Sequence, residues 1–225
     1  MSHRGSIVLT SVTKNRSSSQ YFKYSTPDVE LIVGQGEDKV TVQVHEFVIG
    51  PPSEFFRAAL NVGLKETNER KIHLPTITWV GMEEVLNWLY RREVWRPKRH
   101  KRFSAESTGK LVAVLDAVDF LQIPQLKDEY QEMLEEFIAT IDINSPLLES
   151  REEGSCLAIV LHELYKIGRG IDGNRFYLFM KNLKKHGSLF PESMNGFQGF
   201  REVTNELKEP NTRFVHDLCK AYSYL

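Results

Sequence analysis

Apolar residues recur at every second position over only three short stretches of this chain, which limits any sheet to about three brief strands. In DVELIVG, Val29, Leu31 and Val33 alternate with Asp28, Glu30 and Ile32, and in VTVQVH, Val40, Val42 and Val44 alternate with Thr41 and Gln43. The glycine-bearing segment Gly34 to Lys39 between them predicts a hairpin. A third strand is expected at KIHLP, residues 71–75.

Elsewhere the period is that of a helix. HEFVIG runs into Pro51-Pro52, which must stop any helix begun at His45, and Ser53 is then placed to cap a second one through SEFFRAAL. After the third strand, Met82, Val85, Leu86 and Leu89 share one face. Leu111, Val114, Leu115, Val118 and Leu121 form a further stripe, and Leu126, Tyr130, Met133, Leu134, Phe137 and Ile138 another, with Ile123-Pro124 as the corner between them. Residues 140–154 are polar, hold Pro146 and a charge cluster, and read as a linker. Three more amphipathic faces follow: Leu157, Val160, Leu161 and Leu164; Phe176, Phe179, Met180 and Leu183; and Phe214, Leu218, Tyr222 and Leu225.

With 225 residues, 41% of them apolar and 26% charged, the chain has the composition of a folded soluble protein and needs neither disulfides nor metals to build a core. No apolar run reaches the roughly 18 residues that span a bilayer, and Met1 to Gln20 lacks the apolar block of a signal peptide, so an intracellular location is expected. Cys156 and Cys219 sit in helical patterns and are expected as reduced thiols. Residues 1–25, with Ser17-Ser18-Ser19 and one apolar patch at Ile7-Val8-Leu9, read as a mobile arm.

Motifs for chemistry are scarce. GRGIDG, residues 168–173, satisfies G-x-G-x-x-G, yet it follows a helical stretch rather than a strand, so Gly168 reads as a helix-ending glycine instead of a dinucleotide cradle. His162-Glu163 lacks the second histidine of a zinc-protease helix, and His216 with Cys219 supplies two ligands where a structural zinc takes four. Neither a G-x-S-x-G elbow nor a phosphate loop ending in Gly-Lys-Ser/Thr occurs. A non-enzymatic chain without cofactor or metal is expected.

One segment stands apart in charge. RREVWRPKRHKRF, residues 91–103, carries seven Lys or Arg against Glu93 alone, in a chain of formal net charge -1. Six or so cations on phosphates would make nucleic-acid affinity fall steeply with salt. Base-stacking aromatics are few, however, with only Trp95 and Phe103 flanking the run, and no zinc finger or basic zipper accompanies it, so nucleic acid is not expected as the main partner, and a nuclear transcription-associated or nucleic-acid-associated factor using this loop stands as the alternative function. Arg96, Lys98, Arg99, Lys101 and Arg102 are read instead as an exposed loop that serves nuclear import or an acidic partner.

The order PDVELIV, VHEFVI, SEFFRAAL, VGLKE, IHLP, EVLNWLY and AVDFLQIPQLKDEY resembles the BTB/POZ domain, in particular that of short fungal BTB proteins. The resemblance covers residues 26–139, and TNELKEPNTRFVHDLCKAYSYL is similar to the closing segment of those proteins. It implies an α+β fold, a three-stranded sheet flanked by helical hairpins, followed here by an all-helical extension over 155–225. It also implies protein-protein interaction as the activity: homodimerisation, and in some members docking on a cullin scaffold as a ubiquitin-ligase substrate adaptor. Leu64-Lys65-Glu66 satisfies the family's docking signature of a hydrophobic residue, any residue, then Glu. Asp28 and His45 match two family positions that lie near each other and near the dimer groove, and a structural polar pair is the expected role. Two departures are visible: Gly50-Pro51-Pro52 shortens the first helix, and Trp95 to Ser107 is an insertion after RREV, which falls at a turn and edge-strand position.

Overall fold

The computed structural model describes residues 26–61, 69–97, 104–139, 151–166, 202 and 212–223. Three strands, β1 (Val29–Val33), β2 (Val40–Val44) and β3 (Lys71–Leu74), form one mixed sheet in the order β2-β1-β3. β1 runs antiparallel to β2, with Val29 opposite Val44, and parallel to β3, with Leu31 opposite Ile72. Val29, Leu31 and Val33 on one face of this central strand join the core, and Ile32 on the other face, flanked by Thr41 and His73, is buried as well although the alternation predicts it outside. The hairpin turns through a 3-10 segment, Gly36–Asp38. Gly34 there adopts φ +83°, and a Cβ on it would stand 3.0 Å from the Asp38 carbonyl oxygen, which accounts for glycine at that position.

Seven helices are assigned among the described residues: α1 (Glu46–Ile49), α2 (Glu54–Asn61), α3 (Trp79–Arg91), α4 (Ala105–Phe120), α5 (Pro124–Ala139), α6 (Arg151–Lys166) and α7 (Thr212–Ser223). α1 and α2 meet at Pro51-Pro52 as the sequence predicts. Ser53 caps α2 by accepting from the Phe56 N–H (3.1 Å) and donates its own hydroxyl proton to the Leu121 carbonyl (2.6 Å). The Glu54 N–H donates to the Gln122 carbonyl beside it (3.2 Å), so the start of α2 is tied to the α4–α5 corner by bonds spanning 68 residues. Thr78 caps α3 by accepting from Gly81 (3.3 Å), and Arg92 ends it in the left-handed region at φ +59°. Pro124 opens α5, where its missing N–H costs no helical bond.

The core lies between the sheet and the α3–α4 hairpin. Leu31, Val33, Val44 and Leu74 are fully buried on the sheet side, facing Met82, Val85, Leu86, Val114, Leu115 and Val118. Each such side chain contributes about 1.5–3 kcal/mol relative to exposure. α3 and α4 approach so closely at Gly81 that a Cβ there would fall 2.1 Å from the Ala113 carbonyl oxygen.

α6 starts at Arg151, inside the segment read as a linker, and packs on α4 through Cys156, Leu157, Ala158, Val160 and Leu161, which belong to the same core cluster as the sheet. The first part of the extension therefore shares the core of the domain. α7 docks on α6: Phe214 is buried, its ring 5.2 Å from that of Tyr165, and the Tyr165 hydroxyl donates to Asp217 (2.8 Å). Residues 91–97 differ from expectation. α3 persists through Arg91 and no strand follows it, because Arg92 turns the chain away in the left-handed conformation and Pro97 offers no N–H to a ladder. The arm at 1–25, the segment 140–150, GRGIDG and the helix expected around Phe176 to Leu183 lie outside the described residues, as do the side chains of Phe137, Ile138, Leu164, Leu218 and Tyr222.

Candidate functional site

Asp28 precedes β1 and His45 follows β2, its antiparallel neighbour, so the hairpin register brings the two to the same end of the sheet. Their bonds there are of different kinds. His45 is buried, and its backbone N–H donates to the Tyr90 hydroxyl (2.9 Å), while that hydroxyl lies 3.0 Å from its Nδ1. One hydroxyl thus bonds both the backbone and the ring of His45. Asp28 instead caps α1 from outside, accepting from the Glu46 N–H (2.8 Å). Arg70 completes the arrangement by donating to Glu46 (2.6 Å) and Asp28 (3.1 Å) at once, from a backbone held at φ +54°. All three charged side chains are between 33% and 42% exposed, so each ion pair contributes at most about 1 kcal/mol. Their work is to orient α1 rather than to stabilise it. Neither Tyr90 nor Arg70 is predictable from sequence as a partner, since each lies more than twenty positions from the group it holds.

Leu64 and Glu66 lie outside the described residues, in the segment that joins α2, ending at Asn61, to Glu69 and β3. Of the basic run, Arg96 is described and Lys98, Arg99, Lys101 and Arg102 are not. The segment leaves from an anchored stem. Lys110 on α4 pairs with the buried Glu84 of α3 (2.6 Å) and stands 4.8 Å above the Trp95 ring. Tyr130 is hydrogen-bonded to the Trp95 backbone, and burial, reinforced by the charge of Glu84, pushes its hydroxyl far above the ordinary tyrosine value. The Trp88 indole donates to Glu129 (2.9 Å), the Arg92 guanidinium covers the Trp88 ring at 4.3 Å, and Arg96 approaches Glu136 at 3.7 Å. On the far side Ser104 caps α4 by accepting from Ser107 (3.2 Å). Both ends of the six-residue segment 98–103 are thus fixed by the α3–α4–α5 core.

Among the described residues, no group of three or more His, Cys, Asp or Glu is placed to hold a metal ion, and no helix is long and apolar enough to cross a membrane. Cys156 is buried and Cys219 exposed, both as free thiols. Lys166 at the end of α6 bonds Asp116 of α4 (2.8 Å) and Glu163 (3.2 Å), and the Asp116 bond raises its ammonium above the usual lysine value.

The sheet order, the paired helical hairpins and the buried histidine opening α1 coincide with a match in sequence: the family model of the BTB/POZ domain covers residues 18–138. The chain belongs to the BTB/POZ family. No curated protein matches it. As a BTB/POZ domain it is a protein-interaction module with a small three-stranded mixed sheet and flanking helices, and the match ends one residue before the end of α5. Domains of this family mediate homo-oligomerisation and binding to partners that include cullins.

Proposed function

We propose that this BTB/POZ chain is a substrate adaptor for a cullin-type ubiquitin ligase, self-associating and docking the scaffold through Leu64 and Glu66. The observation that carries the reading is the family match over residues 18–138 with Leu64-Lys65-Glu66 inside it, immediately after α2. An apolar side chain that fills a pocket on the partner supplies affinity there, and a carboxylate at the rim supplies specificity and on-rate. α6 and α7, beyond the matched region, are the surface left for a client protein. Purified protein is expected to bind the amino-terminal domain of the cullin, and changing Leu64 and Glu66 together to Ala should weaken that binding by at least about tenfold, the loss of roughly 1.4 kcal/mol or more from a hot spot. Isothermal titration reads this directly. No binding at all, or equal binding by the double variant, would sink the reading.

The basic segment supports a second role, as a nuclear-import or acidic-partner loop. Trp95 is held against the core and Ser104 caps α4, whereas the Arg96 side chain between them is 65% exposed. Neutralising Lys98, Arg99, Lys101 and Arg102 is expected to move a fluorescently tagged protein from nucleus to cytoplasm while leaving cullin binding unchanged. An unaltered distribution would leave the loop with no import role.

A further inference from the structure

A groove of about 370 Å3 opens beside α1 and α2 at the point where the chain enters the sheet. Phe47, Pro51 and Leu60 supply its apolar lining, and Phe47, at 58%, is the most exposed of the large hydrophobic side chains recorded as exposed among the described residues. Charges at the rim balance. Asp28 and Glu46 share the Arg70 guanidinium, and Arg57 lines the groove with them. A rim without net charge offers nothing to a strongly charged ligand, so the chemistry that suits this groove is aromatic, with polar edges.

Such a ligand lies directly upstream in the same chain. Tyr21-Phe22-Lys23-Tyr24 puts three aromatic side chains within four residues, and only Ser25, Thr26 and Pro27 separate them from Asp28, which itself lines the groove. A fully extended chain spans about 3.3–3.6 Å per residue, so Tyr24 reaches roughly 14 Å from Asp28 and Tyr21 roughly 25 Å. Lys23 can lay its stem on the surface and leave its ammonium in water. The family match begins at residue 18, so these aromatics are part of the same sequence unit as the groove. We propose that residues 21–24 occupy the α1–α2 groove of their own chain and pack an aromatic ring on Phe47. The tether favours the same chain over a second copy, because a short linker holds its ligand at an effective concentration on the order of millimolar.

The full-length protein tests this directly. With Cys219 changed to Ser, Asn61→Cys places a thiol on the groove wall, and Cys156 is buried. Labelling of that thiol by a bulky maleimide is expected to accelerate several-fold when Tyr21, Phe22 and Tyr24 are all changed to Ser, at every protein concentration. Equal rates with and without the aromatics overturn the proposal, and so does protection that disappears on dilution, which would assign the groove to a second copy. The pair Phe22→Cys with Asn61→Cys supplies an independent measurement that keeps two of the three aromatics in place. Mild oxidation should give a disulfide within one chain on a non-reducing gel, and either no cross-link or only a between-chain cross-link rejects occupancy in cis.

Discussion

Gly81→Ala is expected to lower the free energy of unfolding by about 2 kcal/mol or more, and Gly81→Val by about 4 kcal/mol or more, as read by urea titration of the full chain. Gly81 lies in the first turn of α3, where its N–H reaches the Thr78 cap and its Cα faces α4. A methyl group there would sit 2.1 Å from the Ala113 oxygen, 2.8 Å from its carbonyl carbon and 3.3 Å from the Ala117 Cβ. The first two obstacles are backbone, so no rotamer change relieves them and the helices themselves must part. Overpacking of this kind costs roughly 3 kcal/mol, whereas replacing glycine by alanine in a helix returns only about 1 kcal/mol. The steric effect wins. Valine adds two more carbons, and its β-branch forfeits much of the helical gain. Stability of Gly81→Ala within about 0.5 kcal/mol of the parent would show that α3 and α4 do not approach this closely.

Lys110→Met is expected to have the second large effect, a loss of about 2–3 kcal/mol in the same titration. Glu84 keeps only 9% of its side chain exposed, and its carboxylate is held by Lys110 at 2.6 Å and by the Asn87 amide at 3.4 Å. Removing the ammonium leaves a carboxylate between two helices with one weak neutral donor. Lys110 is 29% exposed, so water relieves part of the penalty and brings the loss to or below the bottom of the roughly 3–5 kcal/mol range for broken buried pairs. The same change removes the cation from above Trp95, so a shift in tryptophan emission should accompany the loss. Changing Glu84 to Leu together with Lys110→Met should recover most of the stability, since an apolar pair of similar volume replaces an ion pair at little net cost. A single variant as stable as the parent would mean that Glu84 does not depend on Lys110.

Much of the architecture was legible from local pattern. The three strands, the helix break at Pro51-Pro52, the cap at Ser53 and the corner at Ile123-Pro124 all stand where period and turn chemistry predict them. Leu111, Val114, Leu115, Val118 and Leu121 are all buried, as their shared helical face requires. Ile32 and residues 92–97 were misread for a common reason. Ile32 is buried on the face opposite the core cluster with Thr41 and His73 as its cross-strand neighbours, which depends on residues 71–74 arriving beside β1. The absence of a strand after α3 follows from one backbone angle at Arg92, which an arginine side chain does not announce. For the site, the residue types at Asp28 and His45 were visible in sequence but their partners were not, and Leu64 and Glu66 rest on their motif alone.

The amino-acid order alone therefore decided what depends on neighbours a few positions apart: where strands and helices begin and stop, which faces are apolar, and the likeness to BTB/POZ domains. Tertiary packing decided what depends on residues far apart in the chain. It gave Tyr90 to His45, Arg70 to both Asp28 and Glu46, Lys110 to Glu84 and Trp95, and α6 to the core built by the sheet and α3–α4. The physical reason is the range of the forces involved. Periodicity and capping act within a turn or two of backbone, while a buried polar group takes whichever partner the fold brings within about 3 Å.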